Sequence, residues 1–157
     1  MNIKQQINIL YRISDEKTAT QISIKAACLS AIKSPSIEGT TKNSSSTSKT
    51  EARAMKISDL SVLARQLDTL EKDVKREIEE YLNKIEDSIL REIMRSKYIE
   101  KLTWKDIGAA GNTKESARKL VTRYLDRHEE DVIISKENEE YFLQLKTRLK
   151  EIASSIC

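Results

Sequence analysis

Residues 99–125 read IEKLTWKDIGAAGNTKESARKLVTRYL, and this stretch decides the fold that the sequence predicts. A short helix is predicted from Trp104 to Ala110. Gly111-Asn112 follows it, and both residue types accept the left-handed backbone angles that end a helix sharply. A second helix is predicted to begin at Thr113, because a threonine hydroxyl caps the free N–H groups of a first turn. Two short helices joined by a tight turn form a helix-turn-helix, which reads DNA when its second helix is basic.

The second of these helices has an apolar side and a cationic side. Its apolar residues recur at helical spacing and are predicted to pack inward: Ala117, Leu120, Val121 and Tyr124. The opposite side and the first turn supply the candidate DNA-binding residues, which are Thr113, Lys114, Glu115, Arg118, Lys119, Thr122 and Arg123. Thr113 and Lys114 at the helix N-terminus suit a phosphate. Arg118 and Lys119 suit base edges.

Basic charge concentrates around the predicted helix-turn-helix. Residues 91–127 carry ten Lys and Arg against five Asp and Glu, whereas residues 57–90 and 128–157 are net acidic. The net charge of +3 for the whole chain hides this segregation. A local basic patch is the expected footprint of a phosphate-binding surface, and the plainer alternative is a solvated helix surface. Because the basic patch lies in the same residues as the predicted helix-turn-helix, we favour phosphate binding over a solvated helix surface.

A long helix with a narrow apolar seam is predicted in residues 51–86. The seam residues follow one another at steps of three and four: Ile57, Leu60, Leu63, Leu67, Leu70, Val74, Ile78, Tyr81 and Ile85. Charged residues fill the positions between them, which is the near-heptad pattern of a coiled coil. The pattern fits two arrangements, a dimer between two chains or a hairpin with the helix predicted in residues 2–33.

The other segments complete an all-α prediction, in which helices gain apolar burial by packing on one another. Residues 1–35 form an N-terminal helix that is expected to fray or break between Ser14 and Thr20. Residues 36–50 are rich in Ser and Thr and are predicted to be a flexible linker. Residues 128–157 form a helical tail, and the apolar stripe of its amphipathic helix needs a partner surface.

The predicted DNA-binding domain covers residues 87–127. Its first helix begins at Asp87-Ser88, where either side chain can cap. Thr103, with Asp106 three residues later, approximates a capping box for the short helix. Trp104 and Ile107 share one side of that helix and are predicted to anchor the domain's core.

A further set of residues extends the helix-turn-helix pattern: Ile89-Leu90-Arg91, Lys97-Tyr98-Ile99, Trp104, Ile107, Ser116, Arg118 and Leu120. With these residues the segment resembles the sigma-region-4-like helix-turn-helix of small phage transcriptional regulators. It is similar to the ArpU/RinA-type late-gene regulators, which also place a Ser-rich linker and a charged coiled coil ahead of the motif. The resemblance is most specific over residues 89–125. It departs from the family at Lys97, at Gly108 and in a turn that is one residue shorter.

The residue types argue against an enzyme, a metal site or a cofactor. The sequence has no Gly-rich phosphate loop, and His128 is its only histidine, so neither a catalytic triad nor a zinc cluster is expected. Cys28 and Cys157 are isolated thiols that suit a reducing cytosol. The N-terminus has no continuous apolar core behind its Lys, so we expect no signal peptide, and no apolar run in the sequence is long enough to span a membrane. We therefore expect it in the cytoplasm, that of the bacterial host if the chain is phage-encoded.

Together these patterns predict a DNA-binding transcriptional regulator of phage or prophage type, with double-stranded DNA as its partner. The coiled coil predicts a homodimer or a higher homo-oligomer, and RNA polymerase is a further candidate partner. One alternative is a phage small terminase subunit that recognises packaging-site DNA. The other is a helical protein-interaction module without DNA binding, in which residues 57–85 and 137–152 contact a partner.

Overall fold

A computed structural model describes residues 1–32, 45–109, 113–129 and 136–154 of the chain. Within these residues every regular element is a helix, which confirms the predicted all-α class. The elements in chain order are α1 (Ile3–Ile32), α2 (Ser45–Leu82), α3 (Ser88–Met94), a π-helical turn (Arg95–Ile99), α4 (Trp104–Ala109), α5 (Lys114–Arg127) and α6 (Glu137–Ser154).

Some predicted features lie outside the described residues. They are residues 36–44 of the linker, the Gly111-Asn112 turn and Cys157. The rest of the predicted linker, residues 45–50, is the first part of α2, which therefore begins before the predicted start at residue 51. The same helix ends at Leu82 rather than at residue 86. Propensity is a weak guide to such boundaries, because context overrides the preference of Ser and Thr for turns.

The N-terminal helix is unbroken where the sequence predicted fraying. α1 continues through Ser14 to Thr20. The Thr18 hydroxyl donates to the Ser14 carbonyl at 3.0 Å, and the Thr20 hydroxyl donates to the Glu16 carbonyl at 2.7 Å. These hydroxyls bond back to the preceding turn and satisfy their polar groups within the helix. Thr20 is also buried, so packing adds to the stability of this polar stretch.

The chain divides into two compact units that draw on segments distant in sequence. Unit 1 comprises Met1–Arg12 and Glu71–Glu139, and unit 2 comprises Ile13–Leu70 and Glu140–Cys157. α1, α2 and α6 each contribute to both units. This grouping differs from the predicted division into consecutive domains, because an amphipathic pattern reveals that a helix has a buried face without revealing its partner.

Unit 2 is formed by parts of α1, α2 and α6. The α2 seam residues Leu60, Leu63, Leu67 and Leu70 are buried there, as are Phe142 and Leu145 of α6. Ion pairs join α1 to both other helices: Lys17 pairs with Asp68 of α2, and Glu16 pairs with Lys146 of α6 at 2.6 Å. These four seam residues are therefore covered within one chain, as in the intramolecular arrangement of the two that the sequence allowed.

Unit 1 contains the remaining seam and the predicted DNA-binding domain. Its core includes buried apolar residues from α1, from the end of α2 and the corner after it, and from α3: Ile3, Ile7, Leu10, Val74, Ile78, Tyr81, Leu82, Ile85, Leu90, Ile93 and Met94. A polar cluster lies among them, because the side-chain amide of Gln6 donates to Glu77, and that of Asn138 donates to the same Glu77 oxygen at 2.8 Å. Burial raises the pKa of Glu77 above its ordinary value, against the lowering effects of the Asn138 hydrogen bond and of the Arg76 charge.

A corner joins α2 to α3. The Asp87 carboxylate accepts hydrogen bonds from the N–H groups of Ile89 and Leu90 at 2.9 and 3.0 Å, so the predicted cap is present. The Arg91 guanidinium reaches back to the Ile85 carbonyl at 3.0 Å. α3 thus begins in a fixed orientation to the end of α2.

The π-helical turn after α3 packs its aromatic residue within unit 1. The rings of Tyr98 and Tyr11 meet edge to face with centroids 6.4 Å apart. Burial, together with the neighbouring Tyr11, raises the pKa of Tyr98 to about 12. Lys97 lies over the Trp104 ring, with its Nζ 5.2 Å from the ring centroid. Trp104 is only partly buried, so it packs less deeply than the predicted core anchor, whereas Ile107 is buried as expected.

Candidate nucleic-acid interface

The first helix of the motif, α4, begins with the predicted capping box. The Thr103 hydroxyl donates to an Asp106 carboxylate oxygen at 2.6 Å, and the Thr103 N–H donates to the same oxygen at 3.2 Å. The Asp106 N–H donates in return to the Thr103 hydroxyl at 3.3 Å. The hydrogen bonds from Thr103 lower the pKa of Asp106. α4 therefore starts at a defined residue although it spans only Trp104–Ala109.

An ion pair to α2 fixes the connector in front of α4. The Nζ of Lys101 lies 3.0 Å from the Oε1 atom of Glu71, whose side chain is buried. Lys75 approaches the same oxygen at 3.3 Å. Lys101 has a φ of 61°, a left-handed conformation that non-glycine residues rarely adopt. The ion pair holds the side chain of a residue whose backbone is strained.

The two helices of the motif approach each other at a glycine. A Cβ atom on Gly108 of α4 would lie 2.9 Å from the backbone nitrogen of Lys114 and 3.2 Å from its Cα. Only a residue without a side chain permits this distance. The departure from the resembled family at this position, Gly108 where the family has Ala, thus coincides with close contact between α4 and the first residue of α5.

The second helix, α5, is capped as the sequence predicted. The Thr113 hydroxyl accepts a hydrogen bond from the Ser116 N–H at 3.2 Å and lies 2.7 Å from the Ser116 hydroxyl. Glu115 follows in the first turn, where its charge complements the positive end of the helix dipole. The start of α5 is therefore fixed both by its own cap and by the contact with α4.

The inward side of α5 differs from the prediction at one residue. Ala117 and Val121 are buried as predicted, and Leu125 continues their line. Leu120, predicted to face inward, has 36% of its surface exposed. The spacing explains this, because Leu120 lies off the line that residues four apart make along a helix. Tyr124 is partly buried, and its hydroxyl lies 2.9 Å from that of Tyr81.

The outward side of α5 holds the predicted DNA-binding residues. All seven are exposed: Thr113, Lys114, Glu115, Arg118, Lys119, Thr122 and Arg123. Among the described residues, no carboxylate pairs with any of the four cations in this set, whereas Lys75, Arg76 and Arg95 elsewhere in unit 1 each lie within 4 Å of one. Within the described part of the chain, the four α5 cations are therefore exposed and lie within 4 Å of no carboxylate.

Two further cations, Lys84 and Arg127, lie beside this surface and are not among the residues that the sequence predicts to bind DNA. An open cleft of about 570 Å³ has Lys84, Arg123 and Arg127 among its lining residues, together with Leu120. Arg127 follows Arg123 by four residues, so the helical period was a usable signal for it. Lys84 comes from the corner after α2, and its proximity to α5 is a property of the tertiary structure. Glu86 and Asp87 also line the cleft, and Asp87 is engaged in capping α3.

The far end of α5 is tied to the N-terminus of the chain. The Nζ of Lys4 lies 3.5 Å from Asp126 and 3.6 Å from Glu129, and the side-chain amide of Asn2 donates to the Glu129 carbonyl at 2.7 Å. In the sequence, Glu129 begins the acidic run of residues 129–131, and the Lys4 ammonium partly neutralises the Glu129 carboxylate. His128 is partly buried, with its ring centroid 4.3 Å from that of Tyr124.

The described residues hold no group of three or more His, Cys, Asp or Glu arranged to bind a metal ion. No helix within them is long and apolar enough to cross a membrane. Comparisons of the chain with protein-family models, with curated proteins and with solved structures find no match. The resemblance to phage regulators therefore remains a prediction from the sequence motif.

Proposed function

We propose that the chain is a sequence-specific regulator of phage or prophage type, and that it binds double-stranded DNA through the outward side of α5. One observation supports this most strongly. Lys114, Arg118, Lys119 and Arg123 are exposed on one helix, and no described carboxylate neutralises them. A cationic helix that follows a short helix at a close crossing is the element that helix-turn-helix proteins place in the major groove.

The positions along α5 suggest how the contacts divide. Thr113 and Lys114 stand at the N-terminus, where the helix dipole and a flexible ammonium favour a phosphate. Arg118 and Lys119 come one turn later and would meet base edges, with arginine to guanine as the commonest specific pairing. Arg123 and Arg127 lie further along and would contact the DNA backbone. Phosphate contacts then supply most of the affinity.

Regulators of this design act as oligomers, and we propose a homodimer. A dimer places two recognition helices on half-sites about 34 Å apart, or at a multiple of that distance. RNA polymerase is a further proposed partner for an activator. The apolar seam of α2 does not serve as the dimer interface in this proposal, because its central residues are buried within one chain. The same burial weighs against a protein-interaction module that uses residues 57–85.

Selection of binding sites from a random DNA pool, followed by gel-shift assays at low salt, tests the proposal. Arg118→Ala with Lys119→Ala is expected to weaken binding to the selected site by at least tenfold, since each specific base contact contributes about 1–3 kcal/mol. The matched control is Lys72→Ala with Arg148→Ala, which removes two exposed cations from α2 and α6. Equal affinities for the two double variants, or failure to select any sequence, would contradict the proposal.

A further inference from the structure

The second half of α1 has an exposed side with almost no charge. From Thr18 to Ile32 the sequence contains one charged residue, Lys25, in a chain of which 34% is charged. Ile22 and Leu29 are each 62% exposed. Exposed helix faces normally carry mixed charges, and a cluster of exposed apolar residues commonly marks an interaction surface.

A matching exposed side lies on the part of α2 that belongs to the same unit. Met55 is 67% exposed and Val62 is 48% exposed. They are seven residues apart, like Ile22 and Leu29, so each pair occupies one side of its helix two turns apart. Neither pair belongs to the buried seam. Unit 2 thus has exposed apolar residues that do not take part in its buried core.

The charged residues between these apolar pairs are complementary in sign and position. On α1, Lys25 lies three residues after Ile22 and four before Leu29. On α2, Asp59 lies three residues before Val62 and four after Met55. When one helix runs antiparallel to the other, the three residues on each helix therefore have the same spacing. The middle residues, Lys25 and Asp59, have opposite charges. Within the described residues, neither Lys25 nor Asp59 forms an ion pair.

We propose that these two sides bind each other between two copies of the chain. The exposed side of α1 lies antiparallel to that of α2 in the second copy, so that Ile22 meets Val62, Lys25 meets Asp59 and Leu29 meets Met55. Each copy carries both sides, so a two-fold axis forms the contact twice and closes the dimer. The apolar contacts supply most of the affinity. The ion pair specifies the antiparallel register, because a parallel arrangement would misalign the charges.

This dimer interface does not depend on DNA binding by α5, so it is tested without DNA. Light scattering or sedimentation of the full chain is expected to give the mass of two copies at micromolar concentration. Ile22→Glu with Leu29→Glu is expected to give the mass of one, because the dimer would bury two unpaired carboxylates in each contact. Ile89→Glu is the control, since Ile89 is exposed to a similar extent but lies on α3 in unit 1. It is expected to leave the mass at two copies.

A charge exchange tests the register separately from the apolar surface. Lys25→Glu and Asp59→Lys alone are each expected to weaken the dimer about threefold or more, and the two changes together are expected to restore it. Circular dichroism of every variant checks that helix content is unchanged. The proposal is overturned if the wild-type chain has the mass of one copy at all concentrations, if the glutamate variant still dimerises, or if the double exchange fails to restore association. Loss of DNA binding in an intact dimer would count against the proposed function alone.

Discussion

Gly108 and Lys114 approach so closely that a Cβ atom on the glycine would lie 2.9 Å from the lysine backbone nitrogen. This contact sets the distance between α4 and α5, and hence the placement of the helix that we propose to face DNA. In an ordinary helix Gly→Ala stabilises by about 1 kcal/mol. Here we expect Gly108→Ala to destabilise by about 1–3 kcal/mol, because the backbone of α5 must move to admit the methyl group.

Chemical denaturation of the variant measures this effect, and gel shifts measure its consequence for DNA affinity. Lys105→Ala on the same helix is the control, since Lys105 is exposed and its change is expected to be nearly neutral. A Gly108→Ala variant that is as stable as the wild type would show that α4 and α5 are not held together at this point.

The ion pair between Glu71 and Lys101 gives a second prediction. Glu71→Ala is expected to lower the free energy of unfolding by about 1–2 kcal/mol, through loss of the charged hydrogen bond to the connector. At position 101, Lys101→Gly is expected to be more stable than Lys101→Ala by about 1 kcal/mol, because glycine adopts the left-handed conformation without strain. Urea denaturation of both variants tests this order, and the reverse order would mean that the connector is not held in this conformation.

Glu77 gives a prediction about pH. Burial raises its pKa in the folded chain, so the folded state holds the proton more tightly than the unfolded state does. This carboxyl therefore lowers the free energy of unfolding at neutral pH, and that effect disappears as the pH falls below the ordinary value of 4.5. Glutamine at this position still accepts from Gln6 and Asn138 and carries no charge.

Glu77→Gln is accordingly expected to equal or exceed the wild type in stability at pH 7. As the pH is lowered to 4, the free energy of unfolding of the wild type is expected to rise relative to that of the variant, because the Glu77 carboxyl becomes protonated. Unfolding curves at both pH values measure it, and Gln6→Ala, which removes the partner amide, is the control that should destabilise at both. The stability of Glu77→Gln minus that of the wild type should be larger at pH 7 than at pH 4. A smaller difference at pH 7 would contradict the effect assigned to burial of Glu77.

Local chemistry accounts for what the sequence predicted well. Asp87, Thr103 and Thr113 cap helices as expected, because a cap depends on residues within one turn of it. The seam of α2 was recognised because a buried helix face imposes its period on the sequence. The same helical period predicts which side of α5 faces outward, because the opposite side contains the buried residues Ala117 and Val121.

What the sequence did not reveal depends on contacts between distant segments. The Tyr81–Tyr124 hydroxyl contact and the position of Lys84 beside α5 join residues some forty positions apart, and no local pattern encodes such pairs. The helical spacing of the apolar residues predicts Leu120 in the core, but Leu120 lies at the edge of the buried side, where more than a third of it is exposed. In the polar stretch of α1 from Ser14 to Thr20, hydroxyl bonds within the helix are joined by ion pairs to α2 and α6, which no local pattern reveals.

The mass of the purified chain separates the remaining functional alternatives. A regulator with the proposed α1–α2 interface is expected to be a closed dimer, whereas a small terminase subunit forms rings of eight or more chains. Light scattering at several concentrations distinguishes the two. A ring would assign the same DNA-facing helix to packaging and would contradict the two-fold arrangement.

The salt dependence of DNA affinity is a direct test of DNA binding through α5. The association constant for the selected site, measured by fluorescence anisotropy over a range of salt concentrations, falls with a slope of about 0.9 per phosphate contact on logarithmic axes. Lys114→Ala with Arg123→Ala, which removes two proposed phosphate contacts, is expected to reduce that slope by about 1.8, whereas Lys72→Ala with Arg148→Ala is expected to leave it unchanged. The same slope for all three proteins, or no binding at low salt, would contradict DNA binding through α5.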